Sequence, residues 1–337
     1  MSAPDGQTLE DALIEPAGAG TGAGIAVTEP SVDTGLTPAV PLPRGDGLDA
    51  HVRRTLLQQE RAIGVKYAGH NVRTWPYAVI AIGCFAAWIS FFPLAIMGIL
   101  PLWLGCALTS VFVAGGYVVA HEAMHSNLGR PGTPQRFWNE LTGQISTIPL
   151  ILPFSMVKTM HLLHHQHTNH PENDPDAIHA APNLFMAMVK SWINRQPGAI
   201  GTGARWRRHC AELGTPEAKR AVVETMLLQL AAMTFFFAMA WSGYAIEVAM
   251  LWWLPRHLGL TYIHAVLSWA THHPHDKTAR YENTRVIRHP LGEVLSFGID
   301  YHLIHHLYPH IPFHATGAAY REMKPLLEAR GVDCSAH

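Results

Sequence analysis

From Trp75 to Ala120 the chain runs for 46 residues without one Asp, Glu, Lys or Arg. A water-soluble helix needs a polar face, and this run has none to offer. One crossing of a bilayer takes about 20 apolar residues, so the run is long enough for two. Pro93 and Pro101 stand between its halves, where a helix would end and the chain would turn. The expected spans are 75–92 and 97–120. Composition agrees. Charged residues make up only 15% of the 337, against about 25% in ordinary soluble domains. The net charge of -1 argues against a nucleic-acid partner.

A second apolar region covers 225–270. Its first half, 225–246, is uncharged and reads as a span. Its second half carries Glu247, Arg256, His257 and His264, with Pro255 among them, and reads as a broken span. Histidine-rich segments lie on both sides of this region. If they meet at one site, the chain between them must cross the membrane an even number of times, so 225–270 should be a hairpin. The segment 137–157, interrupted by Pro149 and Pro153, is expected to lie along the membrane face. Lys and Arg crowd 44–73 and 190–220 and are missing from the turns at 93–101 and 242–244. The positive-inside tendency then puts both termini and the histidine segments in the cytosol, with the protein in the inner (cytoplasmic) membrane. The expected fold is an all-α integral membrane protein: about four transmembrane helices in two hairpins under a cytosolic, histidine-rich cap.

Residues 1–47 do not start as a signal peptide does, and from 16 on they are rich in Ala, Gly, Pro and Thr. A disordered arm is expected there, then a membrane domain over 48–330 and a short tail at 331–337. GAGTGAG (18–24) lacks the strand and helix that a phosphate loop needs. Cys84, Cys106, Cys210 and Cys334 form no CxxC pair, so neither a disulfide framework nor a cysteine zinc site is expected.

Three histidine groups stand out: HEAMH at 121–125, HLLHH at 161–165 and HLIHH at 302–306. On a helix, residues three and four apart share a face. His121 and His125 therefore point together, and so do His161, His164 and His165, and again His302, His305 and His306. Eight imidazoles are twice what one tetrahedral zinc takes, about four. Imidazole suits zinc, copper, iron and nickel alike, so spacing alone leaves the metal open.

These groups resemble the histidine boxes of the membrane fatty acid desaturase/hydroxylase superfamily. Longer segments are similar to its bacterial carotenoid ring hydroxylases and ketolases: HHQHTNHPENDPDA (164–177), HHPHDKTARYENTR (272–285) and YHLIHHLYPHIPFH (301–314). The resemblance covers about 75–330. It implies a non-haem centre of two Fe, O2 as co-substrate and a lipid substrate taken from the bilayer. It also implies electrons from a ferredoxin or cytochrome b5-type donor. Carried over, the ligands are His121, His125, His161, His164, His165, His302, His305 and His306. A ninth comes from the PH element as His275, with His272 and His273 as rivals. Asp174, Asp176 and Asp300 are expected to orient ligand rings by accepting their outer N–H; at Asp300 carotenoid relatives often show Asn.

Glu122 lies one residue off the ligand face and reads as an interfacial polar residue. His167 and His170 read as neighbours of the site rather than ligands. His51, His70, His179, His209, His289 and His337 read as surface residues, and His257 and His264 as lining the fourth span. Trp88, Phe112, Tyr117, Phe235 and Trp269 are groove candidates that read more readily as packing. The RWRR stretch (205–208) reads as a membrane-side anchor rather than a docking patch. The expected reaction is hydroxylation of a carotenoid ring, as in β-carotene hydroxylases, with a fatty acyl desaturase as the alternative. A metal transporter would want charges in mid-span, and the first three spans have none. A zinc hydrolase would explain HEAMH but not two HxxHH groups.

Overall fold

A computed structural model of the chain describes residues 48–68, 74–196, 198, 200–287, 292, 296 and 298–334. The expected arm at 1–47, and His70, His289 and His337, lie outside the described residues. No strand occurs among those described.

Helix α1 (Ala50–Tyr67) starts at Asp49, whose carboxylate accepts the His51 N–H. Helices α2 (Thr74–Ile96) and α3 (Leu102–Met124) form the first hairpin. Pro101 caps α3, while Pro93 is absorbed into the last turn of α2, so that helix runs past the expected end at 92. Helix α4 (Arg136–Thr147) and helix α5 (Phe154–His167) follow, joined through a 3-10 turn at Ile148–Leu150. They meet at 97°. Ile151 makes the bend in the left-handed region (φ 57°) just ahead of Pro153.

Helices α6 (Leu184–Asn194) and α7 (Thr202–Leu213) lead into the long α8 (Pro216–Trp241). Thr215 caps α8 with Pro216 in its first turn, which favours a helix start there. The span therefore begins nine residues before the expected 225. The last long element, α9, opens at Ala245–Val248 and runs without a break through Ala249–Trp253, Leu254–Tyr262 and Ile263–Trp269 to Ala270–His272. Two of its stretches, Ala249–Trp253 and Ile263–Trp269, are π-helical. Pro255 and Arg256, expected to break the span, are accommodated beside the first of these. A short α10 (His302–Leu307) and α11 (Phe313–Ala329) complete the chain.

Trp75–Ile96, Leu102–Met124 and Pro216–Trp241 are each long and apolar enough to cross a membrane. The protein is an integral membrane protein. Their outward faces carry bare side chains: Trp103 is 68% exposed, Phe237 70% and Trp241 94%. Lipid is as apolar as these residues, so the spans are held together by close packing and by polar bonds between helices. Trp88 is buried, donates its indole N–H to the Leu251 carbonyl (2.9 Å) and meets Trp252 edge-on at 4.9 Å. Trp252 donates in turn to the Pro149 carbonyl at 3.0 Å. At Gly259 a Cβ would collide with Val113, so glycine there lets α9 lie against α3. Phe91 stacks on Phe112, and Phe235 packs on Phe92 and Trp252, so three of the groove candidates (Trp88, Phe112 and Phe235) belong to one aromatic cluster. Trp269 is tied down as well, through a 2.8 Å bond to the Ala181 carbonyl.

Candidate metal centre

The last turn of α3, the C-terminal half of α5, the end of α9 and all of α10 converge on one place. Their sequences make this geometry: each histidine pair sits three or four apart on its helix, so each helix end turns a fan of rings to the same side. Nine imidazoles meet there in two groups.

The first group holds His121, His125, His161, His165 and His305, whose metal-binding ring nitrogens all lie within 4.8 Å of one another. The Nε2 of His161 is 2.8 Å from that of His125 and 3.0 Å from that of His165. The Nε2 atoms of His165 and His305 are 3.0 Å apart. The second group holds His164, His272 and His306 within the same limit. His302 joins it, its Nε2 lying 3.0 Å from that of His272 and 3.1 Å from that of His306. The rings of His165 and His306 stack at 4.1 Å and bridge the two groups.

The ninth ring is His272, not the expected His275. His272 is the last helical residue of α9, so its ring is carried into the site by the helix. His275 lies beyond the turn at Pro274 with φ 68°, its ring stacked 5.9 Å behind that of His272 and its Nε2 buried without a partner among the described residues.

Hydrogen bonding on the outer nitrogens decides what the inner ones are. A carbonyl oxygen can only accept, so His272, whose Nδ1 lies 3.2 Å from the Asn283 carbonyl, carries its proton on Nδ1. Likewise His164 offers Nδ1 to the Asp174 carboxylate at 2.9 Å. His272 then presents a bare Nε2 lone pair to the centre, whereas at His164 the pull of burial is outweighed by the Asp174 carboxylate, which raises the ring to about 9, so its Nε2 faces the centre and gives up a proton when a metal binds. Burial, and then the neighbouring imidazoles, hold His302, His305 and His306 well below the usual imidazole range, so these rings are neutral at pH 7. Each neutral Nε2 either donates or accepts, never both, so these runs of Nε2 atoms about 3 Å apart cannot all be hydrogen-bonded to one another, and a cation shared among their lone pairs would satisfy them together. The donor set fits two metal ions, one per group.

Around the rings the second box is firmly held. Asp174 is buried, and its two carboxylate oxygens also accept the N–H groups of Asp176 (2.8 Å) and Asn169 (2.7 Å). Burial alone would raise its carboxyl, but His164 and these donors hold it below the ordinary carboxylate range. Arg205 donates to the carbonyls of Asp174 and Pro171, both at 2.7 Å, so the first arginine of RWRR clamps this loop. Asp176 makes no hydrogen bond to a ring among the described residues. Burial, then the charge of Asp174, push its carboxyl up to about 6 against the pull of His164 and Arg205. The described contacts of Asp300 run to Ser296 and Ile287.

Glu122 departs most from expectation. It is buried, and its carboxylate accepts the Phe313 N–H at 2.9 Å and the Asn127 amide at 3.0 Å. The same amide donates to the Pro309 carbonyl at 3.1 Å. Box one thereby pins the loop that follows box three, and a charge one residue off the ligand face was the only signal of it. His179 and His209, expected at the surface, are buried too. His179 stacks on His264 at 4.0 Å. His170 accepts the N–H groups of Glu172 and Asn173 and shapes a turn, while His167 stays outside both groups.

Comparison with known families places this geometry. The model of the family described as "Fatty acid desaturase" matches residues 97–336, well over half of the chain. The chain belongs to the fatty acid desaturase family. Among curated relatives of this desaturase-family chain, a chloroplastic omega-6 fatty acid desaturase of Brassica napus is 23% identical over 75% of the chain and 60% of its own length. An sn-1 oleoyl-lipid 12-desaturase of Synechocystis sp. is 25% identical over 75% of the chain and 76% of its own length. A β-carotene ketolase of Paracoccus sp. is 28% identical over 59% of the chain and 71% of its own length. The chain thus spans about three fifths of the length of the plant relative.

Proposed function

We propose that this desaturase-family protein is an O2-dependent oxidoreductase that oxidises a C–H bond of a membrane lipid, with a carotenoid ring as substrate. The observation that carries the proposal is the convergence of nine imidazoles in two adjacent groups at the end of α3, a helix apolar enough to span a bilayer, with the ends of α5 and α9 and all of α10. The ligands are His121, His125, His161, His165 and His305 in one group and His164, His272, His302 and His306 in the other. Two irons, when bound there, would supply the activation of O2 and the oxidising strength that an unactivated C–H bond demands.

The chain's own residues do the rest. Asp174 and the Asn283 carbonyl hold the Nδ1 atoms of His164 and His272, so that each ring turns its Nε2 to the centre. Glu122 and Asn127 keep the α10–α11 loop against α3, which holds the box-three rings against those of box one. Phe313, 4.8 Å from the His121 ring and 5.2 Å from that of His305, shields the first group from water. Hydroxylation consumes one O2, two electrons and two protons and releases one water. The electrons come from a ferredoxin or cytochrome b5-type donor, and the basic segments support a cytosolic position for the cap that receives them.

A second substrate, the acyl chain of a membrane lipid, is favoured by the several acyl desaturases among the relatives. Expression in cells that make both β-carotene and its ring-hydroxylated derivatives separates the two. A carotenoid that gains a ring oxygen supports the first reading; an added double bond in the fatty acids with unchanged pigment supports the second. Neither change, in cells where the protein carries its metal, rules out both.

A further inference from the structure

Against His161 of the first metal group lies a pocket walled by α3, α5, α7, α9 and the turn after box two. Its lining is in part apolar, with Leu152, Val157 and Ile263. Five further lining residues carry polar groups: the hydroxyls of Tyr117 and Ser268, the Asp176 carboxyl, the Trp206 indole N–H and the His264 ring. Four of these make no hydrogen bond to another described residue. His264 spends only its Nδ1, on the Ser191 hydroxyl at 2.8 Å, which leaves its Nε2 free. The Trp206 N–H is fully buried. Buried polar groups are costly to leave unpaired, so such a collection has a use.

The enclosed space is about 40 Å³. A water needs roughly 10–15 Å³ of such space, so the pocket admits a hydroxyl or keto group and the carbon bearing it, but not a whole ring or chain. Waters would fit by volume and could pair with the polar groups, but they would gain nothing from the apolar side chains. An alcohol or ketone on an apolar body matches both kinds of lining at once.

We propose that this pocket holds the alcohol or ketone oxygen of the lipid substrate, so that the chain acts on a lipid already oxygenated near the carbon it attacks. This rests on the reading of the site as a lipid C–H oxidase, and it adds that an oxygen-inserting reaction must supply the substrate. The shared chemistry is an oxygen on an apolar body, from a carotenoid ring or from an acyl chain.

The test uses the full, metal-loaded chain in detergent, without O2 or reductant, so that binding is read with no turnover. Two pairs of ligands are offered to immobilised protein: a carotenoid with plain rings and its ring-hydroxylated counterpart, and an oleoyl lipid and its chain-hydroxylated counterpart. One oxygenated member is expected to bind at least about tenfold tighter than its plain partner, the scale on which buried polar groups discriminate. The preferred pair identifies the source. That preference should vanish in Trp206→Phe and in Ser268→Ala; the latter removes one hydroxyl only and serves if the former does not fold. Equal binding within both pairs overturns the proposal and leaves the pocket to water. Selective binding by a protein that then oxidises neither lipid in air with reductant would keep the pocket and remove the oxidase reading.

Discussion

The two halves of the molecule are held by different forces. In the membrane half, Trp88, Phe92, Phe235 and Trp252 interlock as an aromatic cluster, joined by two indole-to-carbonyl bonds. Nothing in it titrates. Shape decides it, and a neighbour of similar volume could stand in for most members. In the cap, a small apolar core around Leu303, Ile304 and Met323 backs the site, but the rings and their loops are held by bonds of one donor to one acceptor: His164 to Asp174, His272 to Asn283, Phe313 to Glu122, Arg205 to the Asp174 carbonyl. There, chemical identity decides, and one atom out of place leaves a buried group unpaired. The membrane half should therefore tolerate change and ignore pH, whereas the cap should do neither.

The sharpest way to break this contrast is His272→Ala beside His275→Ala. The first removes a converging ring and is expected to cost at least about 100-fold in activity together with metal, since ligand loss exceeds the 10–100-fold typical of outer partners. The second removes a ring stacked behind the site and should leave metal content intact. Metal analysis and product assay on the two variants check this; equal loss in both would erase the distinction between the two rings. Next in size is Asp174→Asn, expected to weaken metal affinity about 10–100-fold, measured by chelator competition. An unchanged affinity would mean that the His164 tautomer is set elsewhere.

Acid should also separate the halves. His302, His305 and His306 are held below their unfolded pKa, about 6.5, so the unfolded chain binds more protons than the folded one. Stability from these rings is present above that pH and is lost as pH falls below it. Metal release on titration from pH 7 to 5, with the helix content of the spans retained, is the expected result. Glu122→Ala should cost about 1–3 kcal/mol by stranding the Phe313 N–H and the Asn127 amide, read as a lower melting temperature of the cap. Trp88→Phe is the smallest: it deletes one interhelical bond, a loss of about 0.6 kcal/mol in a membrane, with metal unaffected.

Much of this was legible in the sequence. Spans are a matter of composition and length, and the uncharged run from Trp75 to Ala120 could be nothing but two crossings. The box histidines are legible for a similar reason: i, i+3 and i, i+4 spacing is local geometry, and it stays true wherever the helices go. Other features depend on where distant elements end. Whether His272 or His275 reaches the site turns on the last helical residue of α9, and its π-helical stretches near Pro255 and His264 left no periodic signature to count from. Glu122 looked interfacial because its partners, Phe313 and Asn127, come from a loop nearly two hundred residues on and from a turn with no pattern. His179 and Trp206 likewise acquire meaning only from neighbours brought by other helices.

The most direct test of the two-group centre is metal counted per chain in detergent-purified protein, with His305→Ala and His306→Ala alongside, one from each group. Two irons per chain are expected in the wild type, with loss in both variants. A single zinc that survives either substitution would contradict the di-iron centre and the lipid-oxidising function built on it.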